Sequence, residues 1–253
     1  MSGIVYLVGA GPGDPGLLTL RGRDCIERAD AVVYDALVDK RLLEHMRPGA
    51  EAVYAGKREG HHSRPQEEIN AILVSRGRIG QVVTRLKGGD PFMFGRGGEE
   101  AAALAAAGVA FEVVPGVSAG LAVPAYAGIP LTHRECGPDV TFVTGHEGRD
   151  GARVRWDLLA GASTVVFFMG LGHLPRIAAR LVAAGRDAAT PVAVISHGTT
   201  DRQETVTGTL ATIVEAVARR SIGPPGLVVV GDVVRMRESI RWFAELGPPG
   251  GGA

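Results

Sequence analysis

Short apolar runs rich in β-branched residues alternate with helix-like segments through the first half of the chain. A turn containing Gly or Pro follows each run, and the runs are Ile4–Val8, Ala31–Tyr34, Ala52–Tyr54, Gln81–Leu86 and Phe111–Val114. Parallel strands need long connections, usually helices, so this alternation is typical of a parallel sheet. The sequence therefore predicts an α/β fold in which helices cover a mostly parallel sheet.

The pattern changes after Pro115-Gly116, where several predicted strands are separated by few residues. These strands are Val140–Val143, Thr164–Met169, Val192–Ile195, Glu204–Thr207 and Leu227–Val230. Some separations suit antiparallel neighbours, so we predict a second α/β domain with a mixed sheet. The predicted bounds are 1–114 for the first domain, 115–245 for the second and 246–253 for a disordered, Gly- and Pro-rich tail.

One helix is predicted from its own end signals. Ser63 and Gln66 have the spacing of a capping box, and Pro65 suits the first turn. Apolar residues on one face follow, and Gly77 predicts where the helix ends.

Composition excludes several classes of protein. The 253 residues contain 27 Lys and Arg against 27 Asp and Glu, so bulk charge favours neither nucleic acid nor an anionic membrane surface. Cys25 and Cys136 lie far apart without a His or second Cys at metal spacing, which argues against a zinc site or a disulfide framework. No stretch reaches transmembrane length, and no signal peptide is recognisable. We expect a cytoplasmic protein without a metal.

The first glycine loop, Gly9-Ala10-Gly11-Pro12-Gly13-Asp14, resembles half of a dinucleotide-binding fingerprint. Asp14 stands where the third glycine would be, and with Pro15 it reads as a helix N-cap. A carboxylate at that helix end disfavours a pyrophosphate. The alternatives are a turn without a ligand, a dehydrogenase in which Asp35, about 20 residues further on, holds a ribose, and a noncatalytic or regulatory nucleotide-binding module built on the same Asp35 contact.

Taken together, motifs spread over residues 4–235 resemble the uroporphyrinogen-III C-methyltransferases of the tetrapyrrole methylase family. The matching segments are 6–14, 32–38, 56–61, 88–92, 96–100, 115–119, 128–134, 168–170 and 198–200. The resemblance implies two α/β domains of the tetrapyrrole methylase type with the cofactor in the cleft between them. It also implies methylation of two ring carbons, C2 and C7, of uroporphyrinogen III by S-adenosylmethionine. The product would be precorrin-2, for siroheme and/or cobalamin biosynthesis.

The resemblance also implies roles for individual residues. Asp35 matches the family's proposed proton acceptor and Lys57 its proposed proton donor, and Asp35, Lys57 and Arg96 match substrate contacts. The cofactor-binding positions are Pro12, Gly88, Gly89, Asp90, Met93, Ser118, Ala119, Met169 and Gly198. A homodimer is implied as well.

Local positive charge is needed because the substrate carries eight carboxylates while the protein is neutral overall. Basic residues are dense near two predicted strand ends: Lys57, Arg58, His61, His62, Arg64, Arg85, Lys87 and Arg96. We predict that they meet substrate carboxylates, the alternative being a solvated surface. The Glu99-Glu100 pair is predicted to compensate a helix dipole.

Alternatives remain within the wider tetrapyrrole methylase fold. They are methylation of a later precorrin, formation of diphthine, and methylation of an RNA ribose. The sequence shows no extension for the dehydrogenase and ferrochelatase activities of fused siroheme enzymes, so we expect a monofunctional methylase.

Overall fold

A computed structural model describes residues 3–56, 65–145, 154–220 and 222–244. The chain divides into two compact units, Met1–Ala119 and Gly120–Ala253. The predicted domain boundary at 114–115 stays a prediction, and the predicted tail 246–253 lies outside the described residues.

The first unit contains a five-stranded sheet in which every strand pair is parallel. Its strands are β1 (Ile4–Gly9), β2 (Ala31–Tyr34), β3 (Glu51–Tyr54), β4 (Val82–Lys87) and β5 (Ala110–Val114). Their order across the sheet is β3-β2-β4-β1-β5. The predicted parallel sheet and all five of its strands are confirmed.

Three α-helices accompany these strands among the described residues of this unit: α1 (Leu20–Arg28), α2 (Gln66–Arg78) and α3 (Gly97–Ala106). The next helix, α4 (Ala119–Tyr126), has all but its first residue in the second unit. The prediction that Gly77 ends α2 is wrong, since the helix continues to Arg78. A Cβ atom on Gly77 would lie 2.4 Å from Cγ1 of Val109, so packing requires the glycine. The predicted capping box is also wrong: α2 begins at Gln66, so Pro65 is the N-cap residue rather than part of the first turn, and no side-chain hydrogen bond caps it. Ser63 itself lies outside the described residues.

The core of this unit covers both faces of the sheet. Leu7 and Val33 belong to one cluster, with Leu73 of α2 and Leu104 of α3. Val8 and Val32 belong to a second cluster, with Ile26 of α1. Because neighbouring strand residues point to opposite faces, burial on both faces explains the unbroken apolar runs in the sequence.

The second unit contains a mixed five-stranded sheet of order β6-β7-β10-β8-β9. Its strands are β6 (Val140–Thr144), β7 (Thr164–Phe168), β8 (Pro191–Ser196), β9 (Glu204–Thr209) and β10 (Gly226–Val230). Only the β6–β7 pair is parallel, and the other three pairs are antiparallel. The predicted mixed sheet is confirmed.

Helices of the second unit are α5 (Trp156–Gly161), α6 (Leu174–Ala183), α7 (Ile213–Ala218) and α8 (Arg237–Ile240). Its core joins Phe167 and Val228 of the sheet to Leu181 of α6 and Ile213 of α7. Among the described residues of the whole chain, no helix is both long and apolar enough to cross a membrane.

Candidate active site

The carboxyl edge of the first sheet gathers most of the predicted site residues. All five strands are parallel, so their carboxyl ends share one edge, where α/β proteins commonly bind ligands. Pro12 follows β1, Asp35 follows β2, and Gly88, Gly89 and Asp90 follow β4.

Backbone contacts join the loops after β1, β4 and β5 at this edge. Gly89 donates its N–H to the carbonyl oxygen of Gly11 over 2.7 Å, and Gly11 donates to that of Gly89 over 3.2 Å. A Cβ atom on Gly116 would lie 2.4 Å from the carbonyl oxygen of Gly89. Glycine is therefore required where the loops meet, and Pro12 leads away from this junction.

Asp90 ties two of these loops together. Its Oδ1 accepts from the N–H groups of Phe92, at 2.8 Å, and Met93, at 3.1 Å, and its Oδ2 accepts from the N–H of Gly116 at 3.1 Å. The carboxylate therefore organises the loop backbone. Met93 is half-buried beside it in sequence, while Ser118 after β5 is buried.

The helix end after the first glycine loop is already occupied by a carboxylate. Oδ1 of Asp14 accepts from the N–H of Gly16 at 2.8 Å, and Pro15 is the first residue of a short 3-10 helix. The prediction that Asp14 is an N-cap followed by Pro15 is confirmed. This loop suits a ligand without a pyrophosphate, because the helix end that would bind one carries a negative charge.

Asp35 lines a cavity in the first unit. The cavity has a volume of about 330 Å³ and is lined by Tyr34, Asp35, Ala36, Val38, Lys40 and Tyr54. The Asp35 side chain is 28% exposed, and its Oδ1 accepts from Nη2 of Arg85 at 2.7 Å. Our reading of the sequence missed Lys40, an exposed cation that lines the same cavity and follows no recognisable motif.

A buried group of charges underlies Asp35. Oε1 of Glu100, which is fully buried, accepts from Nε of Arg85 and Nζ of Lys87, both at 3.0 Å. Nε2 of Gln66 donates to the same oxygen at 3.2 Å. The prediction that Arg85 and Lys87 meet substrate carboxylates is wrong, because their side chains are 2% and 4% exposed and paired inside the protein.

Burial changes the acid–base behaviour of Lys87. It lowers the pKa of Lys87, and the neighbouring Arg85 cation lowers it further, while Glu100 opposes both effects. Glu100 therefore does more than compensate the dipole of α3. A signal was present in the sequence: Arg85 and Lys87 are two residues apart on a strand and share a face, so burial of that face demands a nearby anion.

Arg96 is the N-cap residue that precedes α3, and its backbone is left-handed, with φ of 60°. Its Nε and Nη2 donate to the two carboxylate oxygens of Glu99 at 2.7 and 2.6 Å. This hydrogen bonding raises the pKa of Arg96 and lowers the pKa of Glu99. The guanidinium is exposed, so a substrate carboxylate would have to compete with Glu99 for it.

Part of the predicted site cannot be placed. Lys57, Arg58, His61, His62 and Arg64 lie outside the described residues.

Two predicted residues lie on the second unit, at one edge of its sheet. Met169 directly follows β7, and Gly198 follows β8 by two residues; both strands are antiparallel to β10, so their carboxyl ends share an edge. Met169 has φ of 53° and is 54% exposed. A Cβ atom on Gly198 would lie 2.4 Å from Cγ1 of Val123 in α4, so this position requires glycine for packing alone.

Backbone strain accompanies these loops. Among the described residues, every non-glycine with positive φ lies in a loop after β4, β7 or β8: Phe94, Arg96, Met169, His197 and Thr199. Such conformations cost about 1 kcal/mol or more each and concentrate at functional sites. Sequence patterns gave no sign of this strain.

Comparison with known proteins agrees with this architecture. Residues 4–214 match the model of the Tetrapyrrole (Corrin/Porphyrin) Methylases. A siroheme synthase of Pseudomonas entomophila is 52% identical over 242 residues, covering 95% of this chain and 52% of that protein. The chain thus spans about half the length of the curated relatives it matches.

Two solved structures are similar to this chain along nearly their whole length. A uroporphyrin-III C-methyl transferase from Thermus thermophilus, complexed with S-adenyl homocysteine, is 41% identical with a TM-score of 0.78; the match covers 91% of this chain and 98% of that one. A cobalt precorrin-4 methyltransferase is 30% identical with a TM-score of 0.80, covering 91% of this chain and 95% of that one.

Proposed function

The chain belongs to the tetrapyrrole methylase family, and we propose that it methylates uroporphyrinogen III at ring carbons C2 and C7 to give precorrin-2, for siroheme and/or cobalamin biosynthesis. The observation that carries the proposal is Asp35, held by the buried Arg85 at the edge of a cavity on the carboxyl side of a parallel sheet. The 41% identity to a uroporphyrin-III C-methyl transferase over nearly its full length supports the choice of substrate.

S-Adenosylmethionine is the proposed methyl donor. It carries no phosphate, which fits the carboxylate at the helix end after the first glycine loop. Glycines carry no Cβ atom, so a ligand could approach the backbone of these loops closely. The residues that would hold the donor are Pro12, Gly88, Gly89, Asp90, Met93, Ser118, Ala119, Met169 and Gly198. When bound, its sulfonium group supplies an electrophilic methyl carbon.

Asp35 has the acid–base role in this proposal. A pyrrole carbon forms a bond to the methyl carbon while the sulfur–carbon bond breaks, and the ring, now positively charged, must lose a proton. Oδ1 of Asp35 is occupied by Arg85, so its other oxygen is the one that would hold a pyrrole N–H or accept the proton. Lys57 is the proposed proton donor, and Lys57 and Arg96 would anchor substrate carboxylates.

Much of the acceleration should come from placing the ring carbon behind the sulfonium methyl. Well-oriented reactants at a site that excludes water react many orders of magnitude faster than free ones. Positioning groups are therefore expected to matter as much as the proton acceptor.

An anaerobic assay with uroporphyrinogen III and S-adenosylmethionine tests the proposal, with product mass measured after oxidation in air. We expect a product carrying two added methyl groups. Asp35→Asn and Lys57→Ala should each lower turnover while S-adenosylhomocysteine still binds in calorimetry, and Asp157→Asn, an exposed carboxylate of the second unit, should not.

Two results would redirect the proposal. Binding of S-adenosylhomocysteine without methylation of uroporphyrinogen III, together with turnover of a later precorrin, would favour the chemistry named for the 30% identical relative. Binding of NAD without binding of S-adenosylhomocysteine would favour a noncatalytic nucleotide-binding module.

The resemblance further implies a homodimer, and the composition predicts a cytoplasmic protein that needs no metal. These expectations are part of the proposal. Sedimentation equilibrium and activity after dialysis against a chelator would test the homodimer and the absence of a metal.

A further inference from the structure

One guanidinium connects a fully buried carboxylate to the partly exposed carboxylate of Asp35. Arg85 donates from Nε to Oε1 of Glu100 at 3.0 Å and from Nη2 to Oδ1 of Asp35 at 2.7 Å. The Arg85 side chain is 2% exposed and Glu100 is 0% exposed. Since the guanidinium is planar and rigid, fixing its Nε edge on Glu100 also fixes the direction in which Nη2 points.

The carboxylate of Glu100 receives hydrogen bonds at one of its two oxygens. Its Oε1 accepts from Arg85, Lys87 and Gln66, whereas its buried Oε2 has no hydrogen-bond partner among the described residues. A buried carboxylate oxygen without a donor costs free energy. Three donors converge on Oε1 and offset this cost. Because all three lie on the same side, they hold the Glu100 carboxylate in one orientation.

We propose that Glu100 is a positioning residue, which acts through Arg85 to orient the Asp35 carboxylate toward the tetrapyrrole. This inference rests on the proposed role of Asp35 in methylation. With Oδ1 held by Arg85, the plane of the Asp35 carboxylate is set, and Oδ2 receives no donor from the part of the chain that the structure describes. Oδ2 is thereby aimed from a rigid, buried support.

The buried charges explain why the support needs Glu100 in particular. Arg85 and Lys87 are two cations on one face of β4, and Glu100 is the fully buried anion that both contact. If Glu100 lost its charge, the Arg85 guanidinium would have no anion at its Nε edge. Asp35 would then be the one carboxylate paired with Arg85 among the described residues. The carboxylate of Asp35 would then be free to follow Arg85 to a different position.

A double-mutant cycle separates positioning from a purely structural role. Glu100→Gln keeps the size of the side chain and removes its charge. We expect it to lower kcat by about ten- to a hundredfold, the range typical of a misplaced catalytic group. The KM for both substrates and the affinity for S-adenosylhomocysteine should change by less than about twofold, because the Glu100 side chain is fully buried.

The decisive comparison uses the Asp35→Asn background. If Glu100 acts through Asp35, adding Glu100→Gln there should lower kcat by less than about a further twofold. Arg85→Lys keeps the positive charge, but a single ammonium group cannot contact both carboxylates as the guanidinium does. It should therefore lower kcat as Glu100→Gln does. If Glu100→Gln does not fold, Arg85→Lys is the variant that tests the positioning role. Glu112→Gln, which alters an exposed carboxylate paired with Arg21, should leave kcat unchanged.

The outcomes distinguish the two proposals. Losses that multiply in the double mutant, or unchanged kcat in Glu100→Gln, would overturn the positioning role while the methylation reaction stands. Wild-type protein that transfers no methyl group to uroporphyrinogen III would overturn the proposed function and the positioning role with it.

Discussion

Gly9 and Gly116 touch backbone to backbone where β1 and the loop after β5 meet. A Cβ atom built on Gly116 would lie 2.6 Å from Cα of Gly9, and one built on Gly9 would lie 2.5 Å from Cα of Gly116. Neither residue has a positive φ. Close approach, rather than a special backbone conformation, therefore requires both glycines.

Gly116→Ala should destabilise the protein by about 1–3 kcal/mol, since overpacking forces the backbone to shift. It should also weaken binding of S-adenosylhomocysteine, because Gly116 contacts both Gly9 and Gly89 at the proposed cofactor edge. Urea unfolding and calorimetry measure the two effects. Gly98→Ala is the control: a Cβ there meets no described atom within 4 Å, and helical alanine should add about 0.5–1 kcal/mol of stability. Equal stabilities for the two variants would contradict the packing argument.

Arg85→Ala should destabilise the protein by about 3–5 kcal/mol, because it leaves Glu100 as a buried charge with one cation fewer. The free energy of unfolding from urea titration measures this loss. Arg155→Ala removes an exposed ion pair with Asp157 and should change stability by less than about 0.5 kcal/mol. A comparable small change for Arg85→Ala would mean that Arg85 carries little of the fold's stability.

Lys40→Gln should raise the KM for uroporphyrinogen III by about two- to fivefold, the effect of losing one exposed charge contact. The reason is that Lys40 is exposed in the cavity that Asp35 lines, where a substrate carboxylate could reach it. Initial rates at varied substrate concentration measure it, and kcat should not change. Arg41→Gln removes the next cation along the chain, which is already paired with Asp39 at 2.7 Å, and should leave KM unaltered. A larger effect from Arg41 than from Lys40 would refute this assignment.

His197 should make stability depend on pH. Burial lowers the pKa of His197, and the nearby Arg202 cation lowers it further. In the unfolded chain the histidine takes up a proton near its ordinary pKa of about 6.5, so it binds more protons there than in the folded state. Stability is therefore expected to fall as pH drops below about 6.5, until the lowered folded-state pKa is passed.

His197→Asn should reduce this loss of stability. Asparagine tolerates the left-handed φ of 46° at this position, so the backbone need not change. Urea unfolding of both proteins between about pH 7 and pH 5 measures the slope of stability against pH. Identical slopes for wild type and variant would show that His197 does not contribute.

Much of the fold was predictable from local patterns. All ten predicted strands are present, and the change from a parallel to a mixed sheet follows the change in strand spacing. The N-cap at Asp14 was also predictable, because a cap involves residues two or three apart in sequence. Gly77 failed as a helix end because its role is contact with Val109, which the pattern around it does not reveal.

The candidate site, like the fold, has features set by the local sequence and features set by tertiary packing. By itself, the sequence determined the positions of the strands along the chain, the glycine loops that follow them and the presence of Asp35 at a strand end, since these depend on neighbouring residues and on strand period. Only the tertiary structure decided that Arg85 and Lys87 are buried on Glu100 rather than exposed to substrate. Strand period places both cations on one face, but whether that face is covered depends on where α3 packs. The free energy of a buried charge depends on partners brought from elsewhere in the chain.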